Sequence, residues 1–189
     1  MNCTEEMLTS EKIYSGKIME VYNDTVKLPD GSEATREYVH HTGGCSILAV
    51  DGDQNIYLVE QFRYPYHEML MEIPAGKLNA DEDPKECAIR ELREEVGLRA
   101  NSIEEFGVYY PTPAYTDEPL HVFLTTDFIV GESKLDPQEF LNVRKFPLSD
   151  VLDMIEKNEI KDAKTVISVT RYALTLFKKV LRAQNFDKE

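Results

Sequence analysis

The chain has 189 residues, 42% of them apolar, and a net charge of −14. That size and composition suit one globular domain plus a small accessory element and argue against bulk disorder. The charge argues against long duplex nucleic acid as a partner, because a phosphate backbone needs a basic surface. A small phosphorylated substrate stays compatible if a divalent cation, held by the chain's own carboxylates, offsets the local negative charge.

The first forty residues predict strands. Lys12 to Lys17 and Met19 to Lys27 alternate apolar and polar residues, Pro29-Asp30-Gly31 is a turn, and Thr35 to His40 returns. A small hairpin sheet is marginal by itself. Residues 1–42 are therefore expected to pack on the main domain, residues 43–189, or on a second copy of the chain. Ser46 to Asp51 suits a buried strand, Asp51-Gly52-Asp53 a turn, and Asn55 to Phe62 a returning strand. Met69 to Ile73 is a shorter strand ending at Pro74-Ala75-Gly76.

A helix follows. Asp83 is its expected N-cap, Pro84 its first residue, Glu86 the partner in a capping box, and Gly97 its stop after about Val96. Ser102 to Tyr109 and Leu120 to Asp127 predict strands, Asp136 to Glu139 a polar loop, and Phe140 to Phe146 another strand. Ser149 is expected to cap a short helix carrying Val151, Leu152 and Ile155. A last helix from near Asp162 places Val166, Val169, Ala173, Leu176 and Val180 on one stripe. Strands dominate and helices are few, which predicts a mixed α/β sandwich of the α+β type and not a doubly wound sheet.

No stretch approaches the ~20 apolar residues of a membrane span, and Met1-Asn2-Cys3-Thr4-Glu5-Glu6 lacks the basic start and apolar run of a signal peptide. Cys3, Cys45 and Cys87 are odd in number and far apart, which argues against a disulfide framework and for a reducing cytoplasm. Cys87 reads as a small buried helix residue. His40, His41, His67 and His121 show no ligand spacing and receive no chemistry.

The chemistry concentrates in Gly76 to Leu98. On a regular helix Glu91, Glu94 and Glu95 stand at i, i+3 and i+4 and share one face, beside an apolar face of Ala88, Ile89, Leu92 and Val96. Like charges at this spacing repel by a few tenths of a kcal/mol each. Closely spaced anionic oxygens are what a hard cation such as Mg²⁺ needs. Taken alone, Glu-Leu-Arg-Glu-Glu reads as a solvated acidic face with Arg90 and Arg93 as partners. The full spacing changes that: Gly76, five residues, Glu82, seven residues, Arg90-Glu91-Leu92, one residue, Glu94-Glu95, one residue, Gly97-Leu98. With residue frequencies of roughly one in fifteen, such identities coincide on the order of once in 10⁸ starts.

This segment matches every position of the Nudix box, and the chain resembles the Nudix hydrolase family from about Tyr38 to Tyr172. The resemblance implies a curved mixed sheet between helices, an α/β/α sandwich, with the box as a loop–helix–loop. It implies hydrolysis of a diphosphate linkage assisted by Mg²⁺, with Mn²⁺ as a substitute. Glu91, Glu94 and Glu95 would be metal ligands, joined by the Ala75 carbonyl, with Glu94, Glu95 and Arg90 in the catalytic set. Glu82 would pair with Arg90 or support a water beyond the metal ligands, and Gly76 and Gly97 would serve as bends.

Leu58 to Pro65, Glu72 to Gly76 and Pro111 to Glu118 look like the ADP-ribose pyrophosphatase branch, with Pro113 about fifteen positions past the box. That resemblance implies a nucleoside diphosphate sugar as substrate, ADP-ribose first and GDP-mannose or another such sugar as the alternative. It also implies a homodimer whose N-terminal strands reach across to the partner. A non-catalytic nucleotide-sensing module is the other class, and the intact box speaks against it. Arg63 is expected to contact substrate phosphate, since a guanidinium binds phosphate bidentately. Glu118 is expected at the terminal ribose or in a loop salt bridge. Glu139, on the loop before Phe140, is the expected base, the alternative being a solvated loop acid. The chain has no Trp, so Tyr14, Tyr22 or Tyr38 would stack on the base, each equally explained by strand packing.

Overall fold

The computed structural model describes residues 2–135, 137 and 139–186. By internal contacts the chain divides into two units. One comprises Met1–Gly43 with Tyr109–Leu120, and the other Gly44–Val108 with His121–Glu189.

In the first unit, β1 (Glu6–Ser15), β2 (Glu20–Lys27) and β3 (Glu33–His40) form an antiparallel sheet in that order. The sequence places the turn at Pro29 to Gly31 correctly, but β1 starts six residues earlier than its alternation predicts. All ten residues of β1 are exposed, so no buried face imposes a period of two. Met7, Ile13 and Tyr14 are among the apolar side chains left open on it. The segment 109–120 joins this unit through a parallel bridge between Val39 and Thr116, in which the Val39 amide donates to the Tyr115 carbonyl. The rings of Tyr22 and Tyr38 stack on each other at 5.2 Å.

The second unit is built around β4 (Gly44–Ala49), every residue of which is buried. Its neighbours in sheet order are β7 (Ala75–Lys77), β4, β10 (Leu120–Thr125) and β9 (Glu104–Tyr109). A second sheet has the order β12 (Leu141–Pro147), β5 (Asn55–Arg63), β6 (Glu68–Glu72), and a short pair joins β11 (Phe128–Val130) to β8 (Leu98–Ala100). Strands β7, β8 and β11 have three residues each, too short for a periodic signal, and the sequence did not predict them.

Alternation along β4 sends Cys45, Ile47 and Ala49 into one core with Cys87, Ala88, Leu92 and Val96 of the box helix. Ser46, Leu48 and Val50 point the other way and are buried as well, and the long helix α3 (Ala163–Phe186) also packs on β4. A strand buried on both faces reads as a continuous apolar run, as Ser46 to Val50 does.

Three expectations need correction. Cys45 and Cys87 form a disulfide, where the odd cysteine count argued against one. The box helix packs on β4 and closes the separation of 42 residues between them. The cysteines therefore no longer speak for a reducing compartment. Ser149 lies inside the short helix α2 (Leu148–Glu156), whose N-cap is Pro147 without a side-chain cap. The buried stripe of α3 is Thr165, Ser168, Val169 and Tyr172, whereas Val180 is exposed. Hydroxyls take the place of some of the expected aliphatics because they find partners when buried, Ser168 locally at the Lys164 carbonyl and Tyr172 across the fold at Gln54. Among the described residues no helix is long and apolar enough to cross a membrane.

Candidate metal and phosphate site

The box begins where β7 pairs with β4 and continues into α1 (Pro84–Glu91). Asp83 caps α1, its Oδ1 accepting from the amides of Lys85 and Glu86 at 2.9 and 3.3 Å. Beyond Glu91 the helix widens into a π-helical turn, Leu92–Val96, where the sequence predicts a regular helix. Gly97 ends it with φ of 76°. A Cβ there would meet the Ser133 amide nitrogen at 2.7 Å, so glycine serves both the left-handed backbone and the close approach. Such wide turns are rare and concentrate at functional sites.

Arg90 ties the acidic residues together. Its Nε and Nη2 donate to Glu82 at 2.8 and 3.0 Å, and its Nη1 donates to Glu91 at 2.6 Å and to Glu94 at 3.1 Å. The Arg90 bond, outweighing some desolvation, holds the Glu82 carboxyl down at about 2. Gly76 lies directly against Glu91, and a Cβ at that position would fall 1.8 Å from Glu91 Oε1. Glu95 is 2% exposed and its Oε2 accepts from the Ala75 amide at 3.0 Å.

Burial pushes the Glu95 carboxyl up to about 8 against the Ala75 amide, and the charges of Glu91 and Glu139 add to the rise. Glu91 is raised as well, by burial first, with Arg90 opposing and Glu94 and Glu139 adding. Glu139 is thus close enough for both buried carboxylates to feel its charge. It lines a shallow cavity with Phe62, Met69 and Phe140. Its loop neighbours Asp136 and Gln138 lie outside the described residues.

Among the described residues no three His, Cys, Asp or Glu side chains are gathered as a ready metal cage. Arg90 takes one oxygen each from Glu91 and Glu94, and Glu95 turns to Ala75. The donor set nonetheless fits a hard divalent cation: anionic oxygens only, two of the carboxylates buried and disfavoured as free anions.

Arg63, at the end of β5, is held from below. Its Nε and Nη2 donate to the two oxygens of Glu72 at 2.6 and 2.7 Å, and Lys164 Nζ also donates to Glu72 Oε2. Burial alone would raise the Glu72 carboxyl, but Arg63 and Lys164 together hold it below the usual carboxylate range. The Arg63 guanidinium, stabilised first by its bond to Glu72, also feels the charge of Glu95.

The fold therefore brings Arg63, Ala75, Gly76, Glu82, Arg90, Glu91, Glu94, Glu95 and Glu139 into one neighbourhood of the second unit. Glu118 belongs to the first unit, where its carboxylate lies 3.5 Å from His41 Nδ1. His40 likewise pairs with Asp117 at 2.6 Å. Sequence reasoning missed Glu72, Asp162, Lys164 and Thr165. A signal existed for Glu72, since an acid ending an apolar strand ahead of Ile-Pro must find a cation if buried. None existed for Lys164, which is 92 residues away from it.

Residues 40–168 match the NUDIX domain, and residues 5–39 match the nucleoside diphosphate sugar hydrolase N-terminal domain. The chain is 40% identical to the ADP-ribose pyrophosphatase of Bacillus subtilis (strain 168), across 95% of this chain and 97% of that protein. It is 35% identical to the methanol dehydrogenase activator of Bacillus methanolicus, across 87% and 90% of the two chains. A crystal structure of an ADP compounds hydrolase superimposes with a TM-score of 0.80 at 20% identity, covering 93% of this chain and 95% of that one. That likeness confirms the mixed α+β architecture with a curved sheet expected from the sequence. With the box intact and its domain spanning most of the residues, the chain belongs to the Nudix hydrolase family.

Proposed function

We propose that this Nudix hydrolase cleaves the diphosphate linkage of ADP-ribose, giving AMP and ribose 5-phosphate. The observation that carries the reading is the buried Glu91 and Glu95 pair beside a braced, partly open Arg63. The extended likeness to an ADP-ribose pyrophosphatase supports the choice of substrate.

Nudix hydrolases generally depend on a divalent metal. In this chain Mg²⁺ would be held by Glu91, Glu94 and Glu95 with the Ala75 carbonyl, and Mn²⁺ would substitute. When bound, the ion neutralises phosphate charge and polarises the P–O bonds. The chain's own residues do the rest. Arg63 donates to a non-bridging phosphate oxygen through the N–H groups that Glu72 leaves free. Glu139 accepts a proton from the attacking water as the water oxygen bonds to one phosphorus, and the bridging P–O bond breaks so that the other phosphoryl group leaves as its monoester, the two products being AMP and ribose 5-phosphate. Arg90 aligns Glu91 and Glu94 and is itself anchored by Glu82. Gly76 leaves room for the Glu91 carboxylate, and Gly97 closes the turn that presents Glu95.

Residues 1–42 act as a dimerising element on the hydrolase domain, residues 43–189. The ten exposed residues of β1, with open apolar side chains such as Met7 and Ile13, support a homodimer. The cytoplasm is its proposed compartment.

The test is a panel of nucleoside diphosphate sugars, including ADP-ribose and GDP-mannose, with Mg²⁺ and with chelator. AMP release from ADP-ribose, lost with chelator, is expected. No turnover at high enzyme would reject ADP-ribose, faster turnover of GDP-mannose would replace it, and tight binding without turnover would indicate a sensor.

A further inference from the structure

We propose that Lys164, in the first turn of α3, is a positioning residue for substrate binding that acts through Glu72 on Arg63. The inference rests on the proposed function and adds a residue that neither the box nor the sequence reading includes.

Glu72 is 2% exposed, so water cannot balance its charge, and protein groups must do so. Both of its oxygens are bonded to Arg63, and Oε2 also takes Lys164. If Arg63 were the only cation on Glu72, the pair would be neutral. A substrate phosphate approaching Arg63 would then meet a guanidinium already cancelled by a buried anion. Lys164 supplies the second positive charge, so Glu72 can fix the orientation of Arg63 without consuming its attraction for phosphate. A guanidinium carries five N–H groups. Glu72 uses one on Nε and one on Nη2, leaving both on Nη1 and the other on Nη2 for a substrate.

The position of Lys164 is itself fixed. Asp162 caps α3, its Oδ2 accepting from the Thr165 amide at 2.9 Å and the Thr165 hydroxyl at 2.6 Å. Asp162 Oδ1 accepts from Lys164 Nζ at 2.8 Å. Thr165 Oγ1 accepts in turn from the Ile73 amide at 2.8 Å, the residue next to Glu72. The first turn of α3 is therefore pinned to the strand end that carries Glu72, and Lys164 cannot drift from it without breaking buried bonds. Asp162 offsets part of the Lys164 charge, since it bonds Nζ and its own charge reaches Arg63, while the rest of the Asp162 charge faces the helix N-terminus, where an anion is favoured.

A double-mutant cycle tests this, with Lys164→Met, Arg63→Ala and the pair, each measured for kcat and KM on ADP-ribose and for thermal melting. Lys164→Met is expected to raise KM about tenfold with kcat changed far less, a tenfold step being about 1.4 kcal/mol. Lys164→Arg should restore most of the affinity. In the Arg63→Ala background Lys164→Met should add little, because the path to substrate is already cut. Lys164→Gln, which keeps chain length and one donor, is measured beside Met and carries the same prediction should the Met variant fail to fold.

An unchanged KM in a folded Lys164 variant overturns the proposal. So does an effect that persists in full without Arg63, which would mean that Lys164 acts through Glu95 or on the fold. Failure of the broader reading looks different: either Arg63→Ala itself leaves KM unchanged, or the unaltered protein turns over no nucleoside diphosphate sugar.

Discussion

Strands β1 and β4 make opposite use of apolar residues. All six residues of β4 are buried, and it joins two helices and a four-stranded sheet. All ten residues of β1 are exposed, although Met7, Leu8, Ile13 and Tyr14 are apolar. A buried strand stabilises its own domain, at about 25 cal/mol for each Å² of apolar surface removed from water. An exposed edge strand with apolar side chains gains that stabilisation only from something outside the chain. The contrast separates two regions of the molecule: β4 supports the box, and β1 carries the assembly role proposed above.

The largest effects should fall on the β4 side. Glu95→Gln keeps an oxygen for the Ala75 amide but removes the carboxylate that would become anionic on binding a metal. It should lower kcat by about 10²- to 10³-fold in steady-state assays with Mg²⁺, while circular dichroism stays unchanged. A wild-type rate would mean that the buried carboxylate serves only packing. Glu139→Gln should slow turnover by about 10²-fold, and a normal rate would remove it as the base. Gly76→Ala should displace Glu91 and cost about 1–3 kcal/mol of stability, seen as a lower melting temperature together with weaker Mg²⁺ dependence. On the β1 side, Ile13→Lys should shift the dimer toward monomer by light scattering and leave melting of the second unit nearly unchanged. A monomeric wild-type protein with full activity would remove the assembly role.

A further test is the pH dependence of stability in metal-free protein. Glu95 titrates near 8 in the folded chain, against an ordinary 4.5. Between those values the folded state holds a proton that the unfolded state has lost, so stability falls as pH rises. In chelator the melting temperature should drop from pH 5 to pH 8, and Glu95→Gln should flatten the slope. Metal binding should oppose it, because a metal displaces the proton. A melting temperature that rises across this interval would contradict the burial of Glu95.

Much of the site was legible before the fold. Asp83, Pro84 and Gly97 bracket the helix as predicted, because capping and left-handed glycine act over a few neighbouring residues. The spacing of Gly76, Glu82, Arg90, Glu91, Glu94 and Glu95 was equally readable. The widening of the helix after Glu91 was not, since helical propensity does not distinguish i→i+4 from i→i+5 bonding. The exposure of Val180 on α3 was also illegible, because periodicity reports a face and not how far along the helix that face stays covered.

By itself, the amino-acid order determined the family, the ends of the box helix and the buried strand that begins near Ser46. These follow from residue types at short spacing, where backbone geometry dictates which side chains meet. Only the tertiary structure decided that Cys45 bonds Cys87, that Glu95 is buried enough to hold its proton, and that Lys164 shares Glu72 with Arg63. Each of these depends on a separation of 20 residues or more being closed by packing. Burial and long-range charge pairing belong to that packing and not to any local stretch of chain.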